Sequence, residues 1–343
     1  MIAADVLQSV LRLWGAEGVS VSAAVFRELK REIDELTGAK VLHHVANLLI
    51  TGRARICAQV SRGKEIGNYK GITIGVETRG VTTFNYVVKS SKEKCDNDVT
   101  QAIINKFIDI YPRVPLIIFD ALFWELQSDE EKKDAIQQFL FAVKTIRKYL
   151  TDLNIVVLSP SPELIDLIGS FRNRINVVTY TSSIALPNKG VILDPYSNES
   201  LTIEDVLQAN AIVVGLLVDS KFPRPYATYA MSLIRGLPYT RKAILYKGSI
   251  VGVPKEINKI VEILLKVRFD GMSVDNAVKD AMGVDNKIYR VVYEVSKLCS
   301  KGKVVDKETV ASIMEELSLD KKYFSKVISR IKALNCWRED VEL

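Results

Sequence analysis

From residue 114 to residue 266 the chain alternates short, continuously apolar segments with amphipathic segments of helical period. The apolar segments are as long as strands and do not alternate with polar residues, which is typical of strands buried on both faces. Strands of this kind, joined by helices, form a parallel sheet covered on both sides. The predicted strands are PLIIFDALF (115–123), NIVVLS (154–159), INVVTYT (175–181), GVILDP (190–195), AIVVGLLVD (211–219) and KAILYK (242–247).

Two regions of different character flank this α/β region. Helical periodicity over 3–15 and 22–50 is followed by strand-like segments at 54–61, 70–78 and 81–90, with a hairpin turn expected at 78–80. After residue 269 the pattern is helical only. The prediction is therefore an N-terminal α+β domain over 1–112, an α/β domain over 113–268 and a helical domain over 269–343.

Several classes of protein are excluded by what the sequence lacks. No apolar run approaches the about 18 residues of a membrane span, and the first residues do not form an export signal, so a cytoplasmic protein is expected. The cysteines, at 57, 95, 299 and 336, are far apart and lack C-x-x-C spacing, which predicts isolated thiols rather than zinc ligands or disulfides. His43 and His44 are the only histidines, which argues against a Ser-His-Asp triad and against a metal site.

Asp219 is the leading candidate for a functional side chain. It ends the apolar run VVGLLVD, and Asp120 ends the first predicted strand of the sheet. Ligands of parallel α/β sheets bind beyond the carboxyl ends of the strands, where both aspartates are expected. Either aspartate could instead have a structural role, as a helix cap or as a member of an ion pair. What distinguishes Asp219 is the stretch 220–255, which carries seven Lys and Arg residues and no acid and predicts an electropositive surface.

The usual phosphate-binding loops are absent from the sequence. No G-x-G-x-x-G follows the first predicted strand, and no G-x-x-x-x-G-K-[ST] occurs anywhere in the chain. A nucleotide-like cofactor would therefore have to be held by another arrangement of backbone groups.

The stretch VILDPYSNESLTIEDVLQANAIVVGLLVD, followed by RGLPYTRKAILY and VGVPKEINKIVEILL, resembles the catalytic core of the tRNA purine-9 N1-methyltransferases of the SPOUT class. Upstream, IIFDALFWEL and QQFLFAVKTIRKYL are similar to the family's first strand and the helix after it. The resemblance covers about 114–266. Archaeal members of the family carry additional N- and C-terminal domains around this core.

The resemblance implies an α/β fold with a C-terminal trefoil knot, in which backbone groups of three loops bind S-adenosyl-L-methionine. In this sequence the implied cofactor-binding residues are Val214, Gly215, Leu216, Gly236, Leu237, Pro238, Leu245, Tyr246, Gly248, Val253, Pro254 and Ile257. The family's catalytic aspartate corresponds to Asp219. The implied substrate-binding residues are Asp120, Gln138, Arg147, Lys221 and Arg224.

Three positions depart from the family pattern. Leu216 replaces a glycine, Tyr246 replaces an aspartate found in many members, and the Pro-Asp turn reads Asp194-Pro195-Tyr196. With these acids missing or displaced, Asp219 remains the principal candidate for catalysis.

The resemblance further implies tRNA as the partner, methylated on N1 of the purine at position 9. Adenine N1 has a free lone pair, whereas guanine N1 must lose a proton to a base, and an ordinary aspartate with a pKa near ~3.9 is a poor base. The single aspartate therefore favours adenosine. A monomer without a metal is expected, with the outer domains clamping the tRNA. Two alternatives stay open: a SPOUT enzyme with another RNA target, and a non-enzymatic regulator whose residues 310–334 form a DNA-binding helix pair.

Overall fold

The computed structural model describes residues 2–170, 179–181, 187–334 and 336–338. Up to residue 181 the elements are α1 Ile2–Leu13, β1 Gly18–Val21, α2 Ala23–Glu32, α3 Gly38–Ile50, β2 Ala54–Cys57, β3 Ser61–Tyr69, β4 Ile72–Glu77, β5 Thr82–Phe84, β6 Tyr86–Ser90, α4 Thr100–Ile110, β7 Leu116–Asp120, α5 Asp129–Ile146, β8 Ile155–Leu158, α6 Pro162–Gly169 and β9 Thr179–Thr181. The remainder are β10 Gly190–Leu193, α7 Ile203–Gln208, β11 Ala211–Gly215, α8 Ala227–Arg235, β12 Thr240–Lys242, α9 Ile257–Phe269, α10 Val274–Ala281, α11 Val284–Ser300, α12 Lys307–Glu316 and α13 Phe324–Ile331.

The chain divides into two compact units. Unit 1 comprises Met1–Pro187 with Asn210–Val218, and unit 2 comprises Asn188–Ala209 with Asp219–Leu343. The predicted domain boundaries at 112 and 268 remain a prediction from composition, because a division by compactness does not test where the evolutionary domains begin.

The N-terminal part of unit 1 is a mixed sheet with helices, in the strand order β2-β6-β1-β4-β3-β5. Its central strand β1 is parallel to β4 and β6 and was not predicted, because it is only four residues long and lies between the helical patterns at 3–15 and 22–50. The hairpin expected at 78–80 is wrong: β3 lies between β4 and β5 and pairs with both. The tight turn lies instead between β3 and β4, at Lys70 and Gly71, whose φ angles are 47° and 81°.

The second sheet of unit 1 is parallel, in the order β11-β7-β8-β9. Strand β7 is completely buried, as the continuous apolar pattern predicts. Helix α5 begins with the predicted capping box of Ser128 and Glu131, and Phe139 on its inner face meets Phe119 of β7 edge to face, with ring centroids 4.9 Å apart. Of the predicted strand 175–181, the part 175–178 lies outside the described residues.

In unit 2, β10 and β12 pair in parallel, and helices α10 to α13 follow α9. The predicted strand at 242–247 is wrong in position, because β12 ends at Lys242 and residues 246–249 form a turn. The helical character predicted after residue 269 is confirmed for the described residues. Their core consists of Ala277, Val278, Ile288, Val291, Val295, Val310, Met314, Val327 and Ile331.

The four cysteines form two disulfides, so the prediction of isolated thiols is wrong. Cys57 pairs with Cys95 in unit 1 and Cys299 with Cys336 in unit 2, at Cα separations of 5.7 and 5.3 Å. The two cysteines of each disulfide lie 38 and 37 residues apart in sequence, respectively. Isolated β-bridges bring the partners together, between Cys57 and Asp98 in the first case and between Val305 and Trp337 in the second. Among the described helices, none combines the length and the apolar character that crossing a membrane requires.

Candidate active site

Asp219 lies farther from the sheet than the sequence predicts. Strand β11 ends at Gly215, and residues 216–219 belong to no strand, so Asp219 is an exposed loop residue rather than the tip of a buried strand. Its Oδ2 accepts a hydrogen bond from the backbone N–H of Arg224 at 3.3 Å, which closes the loop 219–224. An exposed carboxylate held in this way can still accept a further hydrogen bond from a ligand.

Asp120 has a different environment. It is the last residue of β7 and is 2% exposed, and its Oδ1 accepts the backbone N–H of Leu122 at 2.9 Å. Its carbonyl oxygen accepts the N–H of Leu216 at 2.8 Å, which continues the β7–β11 ladder beyond Gly215. Of the two strand-end aspartates, Asp120 therefore shapes the turn after β7, and Asp219 presents its carboxylate to solvent.

Gln127 holds the segment that leads to Asp219, a role that the sequence did not reveal. Its side chain is 5% exposed; Nε2 donates to the carbonyl of Leu216 at 3.2 Å, and Oε1 accepts the N–H of Val218 at 2.7 Å. Both polar atoms of the amide are thus bonded to backbone, much as a neighbouring strand would be. In the sequence Gln127 is an ordinary polar residue before a helix cap, and only the fold brings it to β11, 89 residues away.

The first predicted cofactor loop, Val214 to Leu216, is closed on its side-chain faces. Val214 and Leu216 are buried, and the backbone N–H and carbonyl of Leu216 are both hydrogen-bonded within unit 1. At Gly215 an added Cβ would meet nothing within 4 Å, so the backbone there faces open space. Gly215 is therefore the residue of this loop most open to a ligand.

The second and third predicted loops lie in unit 2. Gly236 ends α8 in a left-handed conformation, and Gly236 and Gly248, like Gly215, have open space at the Cβ position. Tyr246 and Ser249 exchange two backbone hydrogen bonds at 2.9 and 3.1 Å around Lys247 and Gly248, both of which have positive φ. Among the other predicted positions, Leu237 and Leu245 are half-buried, Pro238 is exposed, and Val253, Pro254 and Ile257 are buried.

Arg290 of α11 holds the loop 246–252 from the helical region, and no local pattern predicted this role. Its side chain is 0% exposed, and Nη1 donates to the carbonyls of Tyr246 at 2.8 Å and Val251 at 3.0 Å. The guanidinium pairs with Glu294 and lies 4.6 Å from the ring centroid of Tyr246. Gly252, at φ +84°, allows this approach, because an added Cβ would lie 2.9 Å from the Cβ of Arg290.

Helices α10 and α12 add two further contacts to the same loop. The backbone N–H of Lys247 donates to Oδ1 of Asp275 at 2.8 Å, and its ammonium group pairs with Glu316. A lysine with positive φ is a costly conformation that needs support from its surroundings. The helical region therefore fixes the shape of the predicted loop 245–248.

The remaining predicted substrate residues are dispersed. Arg147 caps the C-terminus of α5, and its Nε and Nη2 each lie 2.6 Å from an oxygen of the buried Asp152. Gln138 is half-buried on α5, and in the 219–224 loop Lys221 is exposed whereas Arg224 is half-buried. Their role in substrate binding stays a prediction.

The electropositive surface predicted for 220–255 is wrong in part, because acids distant in sequence neutralise some of its cations. Arg241 pairs with the buried Asp194 at 2.8 Å, and Lys242 lies 2.9 Å from Glu199 and 3.4 Å from Asp205. With Lys247 bound to Glu316, at least three of the seven cations are ion-paired. No group of three or more His, Cys, Asp or Glu that could hold a metal ion occurs within the described ranges.

Comparison with known proteins gives a consistent result. The chain is 32% identical over 184 residues to the tRNA (adenine(9)-N1)-methyltransferase of Sulfolobus acidocaldarius, a match that spans 54% of this chain and 60% of that protein. It is 23% identical, over 96% of its own length and 88% of the relative's, to the tRNA (guanine(9)-/adenine(9)-N1)-methyltransferase of Thermococcus kodakarensis. No protein-family model matches the chain.

The crystal structure of Sulfolobus acidocaldarius Trm10 in complex with S-adenosylhomocysteine superimposes with a TM-score of 0.68 at 23% identity, covering 96% of this chain and 99% of that one. The fold is therefore that of the SPOUT methyltransferases, and the predicted fold class, an α/β protein flanked by an N-terminal α+β part and a C-terminal all-α part, is confirmed. Within that class, the resemblance to the tRNA purine-9 N1-methyltransferases is confirmed as well.

Proposed function

We propose that the protein transfers a methyl group from S-adenosyl-L-methionine to N1 of the purine at position 9 of tRNA, with adenosine preferred. The exposed carboxylate of Asp219, directly after a segment fixed by Gln127, is the observation that carries the proposal. The reaction and the substrate are proposed from the Sulfolobus and Thermococcus relatives, which are tRNA purine-9 N1-methyltransferases.

The predicted loops fit the proposed cofactor. Gly215, Gly236 and Gly248 each leave open space where a side chain would stand, so an adenosine group can approach the backbone closely. S-adenosyl-L-methionine, when bound, supplies an electrophilic methyl group and a sulfonium leaving group. The chain's own task is then to orient the base and to stabilise the charge that develops on it.

Asp219 performs that task by accepting a hydrogen bond from the exocyclic amine of adenine. As the lone pair of N1 forms the new N–C bond, the ring becomes cationic, and the amine becomes a stronger donor to the carboxylate. No proton has to leave N1 of adenine during this step. Guanine would require Asp219 or a water molecule to remove the N1 proton, and an exposed aspartate is poorly suited to that role.

The proposal extends to the rest of the molecule. The regions 1–112 and 269–343 contact the tRNA in addition to the methyltransferase domain at 113–268, and the protein acts as a cytoplasmic monomer. Residues Gln138, Arg147, Lys221 and Arg224 would contact the substrate. The likeness to methyltransferase folds supports an enzyme over a DNA-binding regulator.

Labelled S-adenosyl-L-methionine and unmodified tRNA transcripts with adenine or guanine at position 9 test the proposal. We expect N1 methylation of the adenine transcript, a lower rate on the guanine transcript, and a loss of about 100-fold in kcat for Asp219→Ala with cofactor affinity unchanged. Asp109→Ala, an exposed acid of α4, is the matched control. If the protein binds the cofactor but methylates neither transcript, the proposed substrate is wrong. If it neither binds the cofactor nor methylates a transcript, the whole proposal is wrong.

A further inference from the structure

A cleft of about 1080 Å³ lies within unit 1, between α2 and α3 on one side and α5 on the other. Six cations line it against two acids, Glu32 and Asp34. The cations are Arg31, Lys40, Arg53, Lys144, Arg147 and Lys148. Of the residues predicted to bind the cofactor or the substrate, only Arg147 belongs to this lining, and Asp219 and the three predicted cofactor loops do not.

The cations of the cleft differ in how far they are neutralised. Arg53 and Arg147 pair with Glu28 and Asp152, whereas the contacts of Lys40 and Lys144 with glutamates are long, at 3.6 and 3.8 Å, between exposed groups. Exposed pairs of this kind contribute little and are exchanged readily for another anion. Arg31 and Lys148 are exposed, and within the described ranges neither forms an ion pair.

An aromatic ring stands among these charges. Phe141 is 51% exposed on the cleft wall formed by α5, one turn before Lys144 and two turns before Lys148. An exposed aromatic ring interleaved with cations on one helix face suits single-stranded nucleic acid, because the ring stacks on a base while the cations meet the phosphates. An acidic peptide would use the cations but would leave Phe141 without a partner.

The two histidines that line the cleft are neutral at physiological pH. Burial lowers the pKa of His43 to about 4, and burial likewise lowers that of His44 to about 4. The positive charge of the lining is therefore carried by its lysines and arginines. These cations come from α2, from α3 and the turn after it, and from the C-terminal end of α5, and such a spread of charge suits a chain of phosphates better than a single compact anion.

We propose that this cleft binds an unpaired stretch of RNA, with its phosphates on Arg31, Lys148 and the loosely paired lysines and one base stacked on Phe141. Under the proposed function, on which this inference rests, the ligand is a segment of the tRNA outside the methylated position. The cleft anchors the substrate, and the region of Asp219 performs the chemistry.

Filter binding of tRNA across a range of salt concentrations tests the inference on the full chain. We expect Arg31→Glu/Lys148→Glu to weaken tRNA binding at least about tenfold and to reduce the slope of log K against log salt by about 1.4, since each phosphate contact of a single strand contributes about 0.7. Phe141→Ala should weaken binding about fivefold or more with the slope unchanged, because it removes stacking and no charge. The affinity for S-adenosyl-L-methionine should stay within twofold of the wild type.

Lys64→Glu/Lys106→Glu is the matched control, since it changes the same total charge at exposed positions of unit 1 outside the cleft. Equal weakening by the control and the cleft variants would overturn the inference, as would wild-type affinity and slope in the cleft variants. If the wild-type protein binds and methylates tRNA while the cleft variants behave like it, only the cleft assignment is wrong. If the wild type binds no tRNA, both the inference and the proposed function are wrong.

Discussion

Two irregular backbone segments of the molecule are each fixed by one buried side chain, and the two side chains differ in charge. Gln127 bonds the carbonyl of Leu216 and the N–H of Val218 in unit 1. Arg290 bonds the carbonyls of Tyr246 and Val251 in unit 2. A neutral amide offers one donor group and one acceptor, which matches the first segment, whereas two carbonyls require a group that only donates. The unsatisfied backbone groups of a loop thus determine which side chain can hold it.

The difference also has an energetic side. The amide of Gln127 carries no net charge into the interior, whereas the guanidinium of Arg290 needs Glu294 and the ring of Tyr246 beside it. Breaking a buried charged contact costs more than breaking a neutral one, because the partner charge remains behind. We therefore expect replacing Arg290 to cost more stability than replacing Gln127, with the effect of acid on unit 1 between them.

Arg290→Met should lower the free energy of unfolding by about 3–5 kcal/mol, since it leaves Glu294 and two buried carbonyls unpaired. It should also weaken binding of S-adenosyl-L-methionine while tRNA affinity changes little, because the loop it holds is a predicted cofactor loop. Calorimetric titration with the cofactor and urea denaturation measure the two effects. Arg290→Lys, which keeps the charge and part of the donor set, should recover some of both; cofactor affinity equal to wild type in Arg290→Met would separate this loop from the cofactor.

Lowering the pH should destabilise unit 1 more than unit 2, because both histidines lie in unit 1. Burial holds the pKa of His43 at about 4, below its ordinary 6.5, so the unfolded chain binds more protons between these values. The free energy of unfolding therefore falls as the pH drops from 6.5 to 4, and His43 contributes about 3 kcal/mol to this loss. Below pH 4 His43 causes no further change.

Hydrogen exchange followed by mass spectrometry at pH 6.5 and 4.5, corrected for the intrinsic rate, resolves the units. Peptides of α3 should lose protection at the lower pH, and peptides of α11 should keep it. In His43→Gln, whose amide can also donate to the Arg147 carbonyl, the acid effect on α3 should shrink. Equal loss of protection in α11 would contradict the assignment to the histidine.

Gln127→Leu should cost about 2 kcal/mol of stability, because it strands one buried carbonyl and one buried N–H without introducing a charge. Under the proposed function it should lower kcat for methyl transfer more than it raises KM for either substrate, since Val218 directly precedes Asp219. Gln127→Met is the control for side-chain length. Unfolding experiments and steady-state rates with both transcripts measure the outcome, and an unchanged kcat would show that the amide acts on stability alone.

Local patterns in the sequence predicted much of the fold. The buried strands β7, β8 and β11, the capping box at Ser128 and the helix α9 follow from apolar periodicity and from side chains within a few residues of one another. Asp219 became a candidate because its position after an apolar run is also local, and its role in catalysis stays a prediction. Its exposure could not be predicted, since the point where β11 ceases to pair depends on β7.

The remaining features depend on contacts between distant parts of the chain. Gln127 and Arg290 are ordinary polar residues until the fold brings against each of them a loop that lies 39 to 91 residues away in sequence. The disulfides were missed for the same reason, since spacing within the sequence does not report distances in space. The acid-free stretch 220–255 misled because its neutralising acids at 194, 199, 205 and 316 lie outside it.

The two disulfides give the protein more than one covalent state. Both close loops in the outer parts of the chain, whereas the residues from 96 to 298 contain no cysteine. Thiol–disulfide exchange with the surroundings sets the ratio of these states. A reducing medium thus breaks both cross-links and leaves residues 96–298 covalently unchanged. The ratio of free thiols to disulfides in the protein therefore reports the conditions in which it was kept.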